Sequence, residues 1–147
     1  MPDMRDSSRK LRILLVEDHQ DTAHALANLL AREAHRVRRV HSGGEAIAAA
    51  AEQPFDLLIS DLRLPDISGF EVMRILKSKY GMTGIAVSGL SAKADIDKAT
   101  ASGFSRYLVK PIKLETLREV VAGIAAGAAD GEGEAVASGD GVASDRP

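Results

Sequence analysis

Apolar residues in this chain fall into short runs separated by stretches with helical spacing. Residues 11–16 (Leu11, Ile13, Leu14, Leu15, Val16, interrupted only by Arg12) form the first run, and Leu57, Leu58 and Ile59 the third. Ile85, Ala86 and Val87 make the fourth, and Tyr107, Leu108 and Val109 the fifth. Val37 and Val40 mark a shorter second run among arginines. Continuous runs of this length predict strands buried on both faces, as in a parallel sheet. Between them, Thr22, Leu26, Leu29 and Leu30 share one face of a helix over about 21–33. A second helix starts at Glu45 after the turn His41, Ser42, Gly43, Gly44, and Pro54 ends it. Phe70, Met73, Ile75 and Leu76 define a third helix, and residues 92–102 a fourth that carries one large apolar residue, Ile96, and ends at Gly103, suited to a left-handed cap. A fifth follows Pro111, with Leu114, Leu117, Val121 and Ile124 on one face. Five βα units and a five-stranded parallel α/β sheet are expected.

The polar residues that end these runs carry the candidate chemistry. Glu17 and Asp18 follow the first, Asp61 ends the third, Ser88 the fourth, and Lys110 follows the fifth. In an open parallel sheet the carboxyl ends of the strands line one crevice, so three carboxylates, a hydroxyl and an ammonium group should meet there. Clustered carboxylates repel unless a cation joins them, and a hard, oxygen-seeking ion such as Mg²⁺ suits them. Taken singly, each residue has a plainer reading. Asp61 could cap a turn, Glu17 and Asp18 could start a helix, Ser88 could be a solvated serine and Lys110 a surface lysine. Their joint placement at four strand ends is what favours phosphoryl chemistry.

Composition narrows the possibilities further. At 147 residues the chain has room for one domain with a proper core. A net charge of −2 shows no field expected of a nucleic-acid binder, so direct DNA binding is not expected. There is no cysteine, which excludes disulfides, thiolate metal sites and cysteine nucleophiles. No run approaches the about 18 apolar residues needed to span a bilayer, and the polar leader has no signal-like apolar stretch. A cytoplasmic setting fits. Residues 1–10 are read as a polar leader and 11–126 as the folded domain. Residues 127–147 form a Gly/Ala/Ser-rich tail whose five acids and one arginine leave it unable to bury enough apolar surface to order itself.

Leu15-Val16-Glu17-Asp18, Ser60-Asp61-Leu62-Arg63-Leu64-Pro65-Asp66, Ser88-Gly89 and Lys110-Pro111 together resemble the receiver domain of two-component response regulators. The gaps (43 residues from Asp18 to Asp61, 27 to Ser88, 22 to Lys110) are similar to that family's. The resemblance covers about residues 11–125 and implies a flavodoxin-like (βα)5 fold with strand order 2-1-3-4-5. It implies that Asp61 is the phosphoacceptor. Asp18 and Asp61 would bind Mg²⁺ directly with the main-chain carbonyl of Arg63, and Glu17 would hold a metal-bound water. Ser88 and Lys110 would contact the phosphoryl group, and Tyr107 would serve with Ser88 as a switch. A cis bond before Pro111 is a further expectation, as are a histidine kinase or histidine phosphotransfer protein as donor. Output would run to a downstream protein through the surface of the fourth helix, fifth strand and fifth helix. A receiver of this kind is a signalling domain rather than a conventional enzyme.

Two rival readings fit the residues less well. A haloacid-dehalogenase-type phosphatase also uses an aspartyl-phosphate, Mg²⁺, a hydroxyl and a lysine, but requires Asp-x-Asp-x-Thr after the first strand. Here Gln20 interrupts Asp18-His19-Gln20-Asp21-Thr22. A flavodoxin-like cofactor binder needs a phosphate-cradling loop after the first strand, where Glu17 and Asp18 would repel the phosphate. His19, His24, His35 and His41 show no metal-ligand spacing, and Asp66 past Pro65 reads as turn chemistry. A stand-alone receiver, the receiver of a hybrid kinase, and a regulator cut from its output all remain open; the Val16-Glu17-Asp18-His19 opening is more similar to hybrid-kinase receivers, whereas the leader and acidic tail favour the first.

Overall fold

The computed structural model describes residues 9–127; most of the leader and the acidic tail, residues 128–147, lie outside the described residues. Ten elements alternate along the chain: β1 Arg12–Val16, α1 Gln20–Arg32, β2 Arg36–Val40, α2 Gly43–Glu52, β3 Leu57–Asp61, α3 Gly69–Tyr80, β4 Thr83–Ser88, α4 Lys93–Ser102, β5 Arg106–Val109 and α5 Leu114–Ala125. All strand pairs are parallel and the order is β2-β1-β3-β4-β5, as expected.

Alternation along each strand divides the core into two layers. Leu14 and Val16 of β1, Leu58 of β3, Ala86 of β4 and Tyr107 of β5 face α2, α3 and α4. Ile13 and Leu15, Leu57 and Ile59, Ile85 and Val87, and Leu108 face α1 and α5. Every residue of β3 is buried, while edge strand β2 is mostly exposed or half-buried, which explains its arginines.

Several helix expectations shift on packing. Ala23 rather than Thr22 completes the buried face of α1. On α5, Leu117 and Val121 are buried as expected, but Leu114 is 40% exposed, Ile124 is half-buried and Ala125 is buried beside them. Leu114 is the first residue of the helix, one turn before the part that packs into the core. Helix α4 is as weakly anchored as its composition predicts, with Ala99 its one buried residue. It ends at Gly103 in the left-handed conformation, φ 116°. No helix among the described residues is long and apolar enough to cross a membrane.

Candidate functional site

Parallel register brings the expected side chains to one edge. Asp61 lies opposite Val87, and Ser88 opposite Val109, so β3, β4 and β5 end side by side. The Lys110 N–H donates to the Ser88 carbonyl at 2.8 Å, extending the ladder one residue past β5. The Lys110-Pro111 bond is cis. A cleft of about 410 Å³ opens at this edge, lined by Asp18, His19, Asp61, Arg63, Ser88, Gly89, Leu90 and Lys110.

Lys110 organises the charges. Its Nζ lies 2.8 Å from Asp61 Oδ2 and 3.1 Å from Glu17 Oε1. Glu17 is 1% exposed. Removing the lysine would leave that carboxylate buried without its counter-ion, a loss of about 3–5 kcal/mol for a buried pair. Burial pulls the Lys110 ammonium toward a lower pKa, but hydrogen bonds to Asp61 and Glu17 outweigh it and hold the group above its ordinary value. The lysine therefore stays charged.

Around this pair the acids differ. Asp61 Oδ1 accepts from the Arg63 N–H at 3.1 Å, which fixes the carboxylate against the start of the following loop. Glu17 turns toward Lys110 and accepts from the His19 N–H at 3.1 Å. Asp18 is exposed and lines the cleft. Among the described residues no three acid or histidine side chains are gathered into a ready metal cage. What the edge offers a hard cation is two carboxylates, Asp18 and Asp61, the Arg63 backbone, and an open cleft for water. That donor set fits Mg²⁺, which keeps several waters and takes one or two carboxylates.

The hydroxyl groups meet at one residue of the β4–α4 loop. Ser88 Oγ accepts from the Leu90 N–H at 3.0 Å, and the Tyr107 hydroxyl donates to the Leu90 carbonyl at 2.6 Å. Tyr107 is buried, and burial raises its pKa above the ordinary phenol value. The hydroxyl is thus turned onto the loop rather than out to solvent.

Sequence reasoning gave Asp66 to its own turn. Instead its carboxylate crosses to the start of α2, accepting from the Gly43 and Gly44 N–H groups at 2.8 Å each. The sequence cue was there in the glycine pair after Ser42, but only the fold brings residues 23 apart into contact. Gly69 was also missed as a fitted position: a Cβ there would lie 2.1 Å from the Asp61 carbonyl oxygen. Of the four histidines, His19 alone lines the cleft.

Residues 13–122 match the family described as the response regulator receiver domain. The chain belongs to that family, whose members act in two-component phosphorelay signalling. Virulence sensor protein BvgS of Bordetella pertussis is 35% identical over 117 residues, 74% of this chain and 10% of BvgS. Protein PilH of Pseudomonas aeruginosa is 29% identical over 119 residues, 79% of this chain and 98% of PilH. A chain from the co-crystal structure of the Saccharomyces cerevisiae histidine phosphotransfer protein Ypd1 and the receiver domain of Ssk1 matches with a TM-score of 0.71 at 25% identity, covering 77% of this chain and 87% of that one. The chain thus spans a tenth of the length of BvgS and nearly all of PilH. The haloacid-dehalogenase alternative finds no support, since the family match covers all five strands except the first residue of β1.

Proposed function

We propose that Asp61 accepts a phosphoryl group from a phosphohistidine on a histidine kinase or histidine phosphotransfer protein. The observation that carries this reading is the 2.8 Å contact between Lys110 Nζ and Asp61 Oδ2 in a cleft also lined by Asp18 and Ser88. A carboxylate attacks phosphorus only when its charge is offset and the attacked group's own negative oxygens are screened. Lys110 supplies one positive charge. Mg²⁺, held by Asp18, Asp61 and the Arg63 main-chain carbonyl, with Glu17 orienting a bound water, would supply the rest by neutralising phosphoryl oxygens.

In the transfer, an Asp61 carboxylate oxygen forms a P–O bond while the P–N bond to the donor histidine breaks. The histidine nitrogen keeps the electron pair and takes up a proton. Lys110 Nζ then turns from the carboxylate to a phosphoryl oxygen, and the Ser88 hydroxyl leaves the Leu90 N–H to donate to another. The domain is a cytoplasmic signalling acceptor whose output passes through the α4–β5–α5 surface to a protein partner rather than to DNA. That a chain matching the Ypd1–Ssk1 receiver co-crystal has the same fold supports a phosphotransfer partner here.

With Mg²⁺ and a small phosphodonor such as acetyl phosphate, the wild-type chain should gain an acyl phosphate that hydroxylamine removes. Asp61→Asn should stay unlabelled. Equal labelling of the asparagine variant would refute the assignment.

A further inference from the structure

The β3–α3 loop that leaves Asp61 carries Arg63 into the cleft, yet it is exposed over much of its length. Its near end is tied locally. Asp61 Oδ1 accepts from Arg63 N–H, and the Gly69 N–H donates to the Leu62 carbonyl at 2.9 Å. Its middle has a long-range tie. Asp66 Oδ1 accepts from Gly43 N–H and Oδ2 from Gly44 N–H, one carboxylate oxygen for each of the first two donors of α2.

The seat at α2 is shaped for this contact. Ser42 Oγ takes the next donor, the Glu45 N–H, at 3.2 Å, and the Ser42 carbonyl takes that of Ala46 at 3.1 Å. Without Asp66, two N–H groups at the start of α2 would have no protein partner, although a helix start must satisfy its free donors. Sterics agree: a Cβ at Gly43 would stand 2.4 Å from Ile67 Cγ1 and 2.9 Å from Val72 Cγ2. Glycine at 43 lets the loop residue beside Asp66 press against the helix. The Gly44 and Gly43 N–H groups also hold the Asp66 carboxyl below its ordinary pKa, so it remains an acceptor at neutral pH.

We infer that Asp66 is a positioning residue for the cation site. By clipping the β3–α3 loop to α2 through Gly43 and Gly44, it holds the Arg63 backbone where the metal needs it. Asp66 touches neither the cleft nor the phosphoryl group, so its action runs through the loop. The inference rests on the proposed reading of the site, in which the Arg63 carbonyl is a ligand. Ligands held by second contacts commonly lose affinity for metal when those contacts are removed.

Two variants separate geometry from bulk. Asp66→Ala deletes both acceptors. Asp66→Asn keeps the shape but sets an amide NH₂ against one of the two N–H groups, donor facing donor. Mg²⁺ titrations of the phosphate-free protein, read by amide shifts around the cleft, should show affinity falling roughly tenfold in both variants. Asp18→Ala, which removes a proposed ligand, sets the scale for a full loss. The Gly43 and Gly44 amides should shift while those of β1 and β3 hold, showing an intact fold. Labelling by acetyl phosphate should weaken at low Mg²⁺ and recover at saturating Mg²⁺, because the groups that react are untouched.

Mg²⁺ affinity within about twofold of wild type in both variants would overturn the inference, on the scale set by outer-contact losses. So would labelling that saturating Mg²⁺ fails to restore. If instead the wild type neither binds Mg²⁺ nor labels on Asp61, the reading of the site fails and the inference falls with it.

Discussion

Lys110 shows how one residue sets the character of a site. It stands 24% exposed between a buried glutamate and the Asp61 carboxylate, and its charge is secured by both. The same ammonium offsets charge in the resting fold and, on the proposed reading, would follow new oxygens at Asp61. A second single-residue effect lies at the opposite edge of the sheet. His35 Nδ1 accepts the Leu11 N–H at 3.0 Å, which only an unprotonated nitrogen can do. Burial, and then the neighbouring Lys10 charge, lower the His35 pKa, with Glu33 opposing. The folded state therefore prefers the neutral ring. Its contribution is fully present above the ordinary value of 6.5 and is lost as pH falls from there toward the lowered folded value. Denaturant midpoints from about pH 7.5 to about 5 should show wild type losing more stability than His35→Ala, by under about 1 kcal/mol because the ring is partly exposed. Parallel slopes for the two proteins would show that the histidine does not couple folding to protons.

At the scale of elements, helix ends and helix faces decide what can move. Helix α1 ends with Ala34 at φ 69°, a left-handed conformation that costs an alanine about 1–2 kcal/mol. The Ala34 N–H donates to Ala31 and the His35 N–H to Leu30, so the turn is a true helix stop. Ala34→Gly should stabilise the protein by about 0.5–1 kcal/mol, the relief of strain less the extra entropy of an unfolded glycine. A lower melting temperature for Ala34→Gly would contradict that. Helix α4 is the opposite case. One buried alanine and a Lys98 ammonium 4.6 Å from the Phe70 ring centre are modest anchors, whereas α3 buries Val72, Met73 and Leu76. Among the helices, α4 has the least packing to resist displacement.

Across the whole molecule, the cleft and β5 are linked through the Leu90 backbone of the β4–α4 loop, which holds Ser88 by its N–H and Tyr107 by its carbonyl. Phosphorylation adds charge and strong acceptors, which bias an existing equilibrium rather than create a fold. On the proposed reading, a Ser88 that turned to a phosphoryl oxygen would cost the Leu90 N–H its acceptor and loosen the hold on Tyr107. Beryllofluoride, a phosphoryl mimic, should therefore change amide shifts and exchange protection from β4 through α5 and leave α1 beyond its first turn nearly unchanged. Ser88→Ala should still accept phosphate but lose that pattern. A response of equal size on both faces of the sheet, or one preserved in Ser88→Ala, would exclude this route to the output surface.

Four of the five strands were legible because each holds a continuous apolar run, and β3, buried throughout, could be little else, whereas edge strand β2 showed only as two valines among arginines. The edge chemistry was legible too, since a polar residue that ends a buried parallel strand has one place to go. Glu17, Asp61, Ser88 and Lys110 were thus placed together by strand ends alone. What one chain read in order could not supply was every contact made across large separations. Lys110 reaches Glu17 across 93 residues and Asp61 across 49, and how it divides its charge between them depends on strand register. The inward setting of Tyr107 follows from which face of β5 meets α4, and the exposure of Leu114 from where α5 begins. Asp66 is the sharpest case. Its local sequence offers a turn, and a turn costs little to form, but the fold presents two unsatisfied N–H groups at the start of α2. Buried or not, free helix donors seek acceptors, and tertiary structure alone determines which acceptor arrives.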